Sequence, residues 1–207
     1  MKCARPRIWD FDGVIVDSFP LLKKINQDYL ASIGRNVNGE FRMPKNVHDL
    51  FSSYRFGEKE MKDYFEYRSS EYAKSYASCQ MFDGIKDIIS NGEFKQGIYS
   101  DTEDRYIISH LEKNNILHSF LSVSGLRGRP KPDPAAFIEC AKELDVDPRD
   151  VVLIGDTDVD ISIGKRMGVY RIICPEYGGY SSNRPPGADL YVKTVAELRD
   201  ALEEFDD

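Results

Sequence analysis

From about residue 84 onward, short apolar runs alternate with longer stretches whose apolar positions recur every three or four residues. The short runs predict strands at residues 96–100, 120–124, 151–154, 170–174 and 190–192, and the longer stretches predict helices at 84–91, 102–114, 135–144, 158–167 and 194–205. This alternation predicts an α/β fold, a doubly wound, mainly parallel sheet with helices on both faces. The amino-terminal part reads differently. Ile8 and Trp9 lead a strand, and residues 17–33 predict a helix with Ile25, Tyr29 and Ile33 at fourfold spacing and Gly34 as its stop. Residues 36–45 are polar and turn-rich, 46–56 predict a short helix and 58–80 a longer one, on which Met61, Phe65, Tyr72, Tyr76 and Cys79 share a face. A small all-helical insert thus follows the first strand.

A chain of 207 residues suits one domain, or one domain carrying a smaller insertion. Charged residues make up 30% and hydrophobic residues 41%, a globular composition, and the sequence shows neither an eighteen-residue apolar run nor a basic-then-apolar leader. The expectation is a soluble, cytoplasmic protein without a membrane partner. Twenty-eight Lys and Arg against 35 Asp and Glu give a net charge of −7, which works against non-specific nucleic-acid binding. Cys3, Cys79, Cys140 and Cys174 lie far apart and read as free thiols, while His48, His110 and His118 form no ligand cluster.

Chemistry concentrates where the predicted strands end, which is where doubly wound sheets bind ligands. After the first strand, Asp10 and Asp12 project to the same side of an extended segment, and Gly13 permits a sharp turn into the following helix. Two carboxylates that close suit a hard cation such as magnesium, and they equally suit a turn in which both side chains cap backbone amides. After later strands come Ser100-Asp101-Thr102 and Gly155-Asp156-Thr157-Asp158-Val159-Asp160, with Lys131 in a proline-rich loop before the helix at 135–144. Singly, each has an ordinary reading as a strand-end serine, a solvated lysine or helix-start acids. Jointly they make a site for phosphoryl transfer. Asp10 is the candidate nucleophile and Asp12 the general acid. Asp10, Asp12 through its backbone carbonyl, Asp156 and Asp160 are the candidate magnesium ligands, Asp160 as ligand or support. Lys131 offsets negative charge, Ser100 donates to a phosphate oxygen, and the backbone amides near Gly13 and Asp101 add donors.

These residues resemble the haloacid dehalogenase superfamily, whose four motifs correspond here to Asp10-Phe11-Asp12-Gly13-Val14-Ile15, Ser100, Lys131-Pro132-Asp133-Pro134 and Gly155-Asp156-Thr157-Asp158-Val159-Asp160. The resemblance covers about residues 8–200 and implies a Rossmann-like core, residues 1–16 plus 81–207, with a helical cap at 17–80. Asp12, the second motif aspartate, points to phosphatases and mutases and away from dehalogenases. Asp17-Ser18-Phe19-Pro20-Leu21 is similar to the Asp-Ser-x-Pro stretch of phosphoglycolate-phosphatase-like enzymes. Residues 18–30 lack the histidine of the sugar-phosphate mutases, so hydrolysis is favoured. The resemblance implies a magnesium-dependent phosphatase, monomer or homodimer, acting on a small phosphorylated metabolite such as phosphoglycolate, a sugar phosphate or a nucleotide-like ester. The alternatives are a phosphomutase and a non-catalytic metal-binding regulatory module. Arg42, Lys45 and Arg55 are the expected substrate-facing cap cations. Asp101, with Glu103 and Asp104 close behind, departs from the neutral residue usual after the motif hydroxyl and adds negative charge beside a phosphate site.

Overall fold

The computed structural model describes residues 4–35, 47–91, 94–126, 130–179 and 184–206. Strand β1 (Arg7–Trp9) and a two-residue strand β2 (Val16–Asp17) precede helices α1 (Phe19–Ser32), α2 (Val47–Ser53) and α3 (Glu58–Ser75). There follow β3 (Gln80–Met81), α4 (Ile85–Ser90), β4 (Gln96–Tyr99), α5 (Asp104–Lys113), β5 (Ser122–Ser124) and α6 (Ala135–Glu143). β6 (Val152–Ile154), α7 (Asp158–Met167), β7 (Arg171–Pro175), β8 (Leu190–Val192) and α8 (Val195–Asp206) complete the chain. Six strands form one parallel sheet in the order β5-β4-β1-β6-β7-β8, with β1 paired to β4 on one side and to β6 on the other. The chain winds outward from β1 first one way and then the other. The β1/β6 border is therefore the point where strand order reverses and ligands bind.

Neighbouring strand residues point to opposite faces, and here each face has its own core. Ile8, Tyr99 and Leu153 pack with Phe137, Cys140 and Leu144 around α6 and with Ile163 of α7. Trp9, Ile98 and Ile154 pack on the other face with Ile85 and Ile88 of α4, Ile107 and Leu111 of α5, and Leu198 and Leu202 of α8. Coverage on both sides explains why β6, Val-Leu-Ile, reads as an unbroken apolar run and not as an alternating one. The second core continues into α1–α3, where Tyr29, Phe51, Phe56 and Tyr64 stack edge-on or tilted at centroid distances of 4.9–6.2 Å. Cys79, Cys140 and Cys174 are free thiols. Among the described residues no helix is long and apolar enough to cross a membrane.

Two local expectations are corrected. The strand-turn-helix reading of residues 8–33 misses β2: Gly13, at φ +77°, donates its N–H to Val16 O at 2.9 Å, and the chain folds back before α1 begins at Phe19. The long helix expected over 58–80 ends at Ser75, passes through a 3₁₀ turn at Tyr76–Ser78 and becomes β3. Both departures have one cause. β2 and β3 form an antiparallel pair, Val16 opposite Met81 and Asp17 opposite Gln80, and pairing requires extended backbone at each position.

Candidate active site

β1 delivers Asp10 to the carboxyl edge of the sheet, where its N–H still donates to Ile154 O at 2.8 Å. β6 delivers Gly155 and Asp156 beside it, and the first turn of α7 adds Asp160. Thr157 caps that helix: its hydroxyl accepts from Asp160 N at 3.3 Å, while the Asp160 carboxylate accepts from Thr157 N at 3.0 Å. A Cβ on Gly155 would lie 2.5 Å from Asp160 Cβ, so the close approach of this turn requires glycine. Carboxylate oxygens of Asp10, Asp156 and Asp160 lie within 4.8 Å of one another.

Lys131 enters this cluster from the loop before α6. Its Nζ lies 3.0 Å from Asp10 Oδ1, 2.8 Å from Asp160 Oδ1 and 3.9 Å from the centroid of the Tyr99 ring, whose hydroxyl also donates to Asp160. One ammonium thus faces two buried carboxyl groups. Burial works against its charge, but Asp10, Asp160 and Asp101 outweigh burial and hold the Lys131 ammonium well above the usual lysine range. Burial pushes the Asp10 carboxyl well above the carboxylate range despite Lys131. Burial likewise raises Asp156, with the charges of Asp10 and Asp160 adding to it. For Asp160, burial is overcome by Lys131 and by hydrogen bonds from Lys131, Thr157 and Tyr99, and its carboxyl sits below the usual value. Asp156 is 2% exposed, and among the described residues neither of its buried carboxylate oxygens has a hydrogen-bond donor. A buried, donorless carboxylate beside two others is the environment a hard divalent cation fits.

Asp12 stands apart from that cluster. Its Oδ1 accepts from Tyr76 OH at 2.6 Å and from Ser18 Oγ, and its Oδ2 accepts from Thr102 Oγ1 at 2.7 Å. Ser100 is buried at the end of β4, its Oγ accepting from Thr102 N at 3.0 Å. Asp101 is exposed, and its Oδ1 accepts from Lys131 N at 2.8 Å. Asp104 Oδ1 accepts from Gly125 N at 2.5 Å and Glu103 pairs with Arg105 at 2.7 Å. The acidic run at 101–104 is thereby engaged with backbone amides and an arginine. Gly13 lies under the loop after β7, where a Cβ on Gly178 would fall 2.1 Å from Gly13 O and Tyr177 OH donates to Val14 O at 3.0 Å. Arg55 is exposed in a left-handed turn after α2, φ 51°, and its carbonyl accepts from Arg35 at 3.3 Å. Arg42 and Lys45 lie outside the described residues.

Sequence reasoning missed the hydroxyls that hold the carboxylates: Ser18, Tyr76, Tyr99, Thr102 and Thr157. For Thr157 the Thr-x-x-Asp spacing before an apolar stretch was an available capping signal. It also missed Arg68, half-buried on α3 at fourfold spacing from Tyr64, Tyr72 and Tyr76. The Arg68 guanidinium lies 5.2 Å from the Phe65 ring centroid and 5.6 Å from that of Tyr72, and its charge reaches Asp101.

The sequence model described as haloacid dehalogenase-like hydrolase matches residues 7–174. Phosphoglycolate phosphatase 1 of Pseudomonas aeruginosa is 27% identical over 97% of this chain and 79% of its own length. The beta-phosphoglucomutase of Bacillus subtilis is 26% identical over 92% of this chain and 90% of its own. Among solved structures, a predicted phosphatase from Clostridium acetobutylicum superposes with a TM-score of 0.85 at 19% identity, covering 98% of this chain and 99% of that one.

Proposed function

The chain belongs to the haloacid dehalogenase-like hydrolase family, and from that premise we propose that it is a magnesium-dependent phosphatase of small phosphomonoesters working through an aspartyl-phosphate at Asp10. The observation that carries this reading is the division of labour among the carboxylates. Asp10 and Asp156 converge in a buried cluster with Lys131, whereas Asp12 is held by hydroxyls outside it. Asp10 and Asp156, with the backbone carbonyl of Asp12, would hold magnesium, and Asp160 supports them by fixing Lys131 and the start of α7. The ion supplies compensation for the carboxylate and phosphate charges.

Asp10 attacks phosphorus, forming the Oδ–P bond as the ester P–O bond breaks, and Asp12 delivers its proton to the leaving oxygen. In the second step Asp12 takes a proton from the attacking water, and inorganic phosphate and free Asp10 result. Lys131 holds Asp10 in one orientation and offsets charge. Ser100 Oγ, and the amides near Gly13 and Asp101, donate to phosphate oxygens. Residues 1–16 and 81–207 form the catalytic core and 17–80 the cap, whose contribution at Asp12 is the hydroxyl of Tyr76. Resemblance to phosphoglycolate phosphatases supports a small phosphorylated metabolite as substrate.

The test is magnesium-dependent release of phosphate from a panel of phosphoesters. Asp10→Asn is expected to lower it by at least about 10³-fold, the scale of a lost nucleophile, and retained release in that variant overturns the mechanism. Resemblance to beta-phosphoglucomutase gives a second reading, phosphoryl transfer between positions of a sugar. Isomer conversion without net phosphate release would select it.

A further inference from the structure

Among the described residues, the three side chains that donate hydrogen bonds to Asp12 are all hydroxyls, and they come from three separate parts of the chain: Ser18 before α1, Tyr76 after α3 and Thr102 after β4. The contrast with its neighbours is chemical. Asp10 and Asp160 each face the Lys131 ammonium, a donor that accepts nothing. A hydroxyl both donates and accepts. A cage of hydroxyls therefore holds an ionised carboxylate by donating to it, and holds a protonated one by reversing one bond, without moving the side chain. An ammonium at the same place would favour the anion alone.

The cage also fixes direction. Tyr76 is fully buried, packed 4.7 Å centroid to centroid from Tyr72, and Thr102 is tied to Ser100 through its own N–H at 3.0 Å. With a donor on each oxygen, the Asp12 carboxylate is held away from Asp156, whose oxygens accept no bond from the described residues and would share any cation drawn in. We propose that Tyr76 and Thr102 are positioning residues, which keep Asp12 outside the cation cluster and oriented for proton transfer in both steps of the reaction.

This inference rests on the phosphatase reading, and its test separates the two. The probe is a series of substituted phenyl phosphates of similar shape, from 4-nitrophenyl to unsubstituted phenyl, read as the rate of phenol release in a single turnover with magnesium in excess. Only a poor leaving group needs Asp12's proton. Tyr76→Phe keeps the ring and removes the hydroxyl, and is expected to slow phenyl phosphate by on the order of tenfold or more, a fraction of the effect of removing a general acid. The loss on 4-nitrophenyl phosphate is expected to be several-fold smaller, which steepens the dependence on leaving group. Thr102→Val should do the same and Thr102→Ser should restore the shallow dependence. This pair carries the test if Tyr76→Phe does not melt cooperatively. Equal losses across the series, or none, overturn the positioning role. An Asp12→Asn enzyme that shows no steepening overturns Asp12 as the acid. Wild-type protein that releases no phenol overturns the phosphatase reading and this inference with it.

Discussion

Asp156 is a costly side chain when no cation is present. Its buried oxygens have no donor among the described residues, and burial followed by the charges of Asp10 and Asp160 holds its carboxyl well above 3.8. A raised carboxyl binds more protons folded than unfolded. Its contribution to stability is therefore present in full below the unfolded pKa of 3.8 and is lost as the pH rises through the higher folded value. Asp156→Asn is expected to stabilise the magnesium-free protein at neutral pH by about 1–3 kcal/mol, the scale of an uncompensated buried polar group. The same variant should lose the upward shift in melting temperature that magnesium gives the wild type. Thermal melts with magnesium and with chelator decide both points. At this scale the convergence of Asp10, Lys131, Asp156 and Asp160 was legible because each follows or precedes a readable strand or helix. The partners of Asp12 were not, since Tyr76 and Thr102 lie 64 and 90 residues away and only tertiary packing brings them to it.

Tyr64, Arg68 and Tyr72 of α3 continue at fourfold spacing to Tyr76 just past its end, whose hydroxyl meets Asp12. Helical rise places Arg68 about 12 Å along the axis from Tyr76, where its charge acts to lower the Asp101 carboxyl. Arg68→Ala is expected to raise KM for anionic substrates about tenfold while kcat changes less, a split that steady-state kinetics reads directly. On α5 itself, His110 is fully buried and its Nε2 lies 2.9 Å from Cys79 O, next to β3. Burial lowers its pKa below 6.5 more than the Cys79 carbonyl and Asp12 raise it. Between the folded value and 6.5 the unfolded chain binds the extra proton. Its stabilising contribution is thus complete above pH 6.5 and is lost as the pH falls. Urea denaturation at pH 8 and pH 5.5 should show a smaller stability difference in His110→Gln than in the wild type, and an unchanged difference would refute the assignment. Helices and parallel strands were legible here from periodicity. β2 and β3 were not, because a two-residue strand has no period and exists only through its partner.

Across the molecule, one sheet separates two main cores, and its short strands of three to five residues supply both. Phe137 is fully buried in the smaller core, edge-on to Tyr99 at 5.7 Å. Phe137→Ala is expected to cost about 3–5 kcal/mol, read as a lower urea midpoint. Because Tyr99 shares its strand with Ile98 of the other core, the loss should appear in a single transition and not in two. The sheet class and the winding on both faces were legible from the alternation of elements. Strand order was not, because it depends on which edge each crossover returns to.

The antiparallel pair β2–β3 has a polymer consequence for the segment between its strands. Val16 faces Met81 and Asp17 faces Gln80, so residues 18–79 leave and return through a gap of one strand spacing, about 4.5–5.5 Å between facing Cα atoms. The segment is a closed loop whose ends are fixed whatever it contains. Closure entropy grows only by about 0.6 kcal/mol for each doubling of loop length. Lengthening or shortening that segment therefore leaves the geometry at Asp10 anchored by two residue pairs, and its size is free to vary with what it must cover.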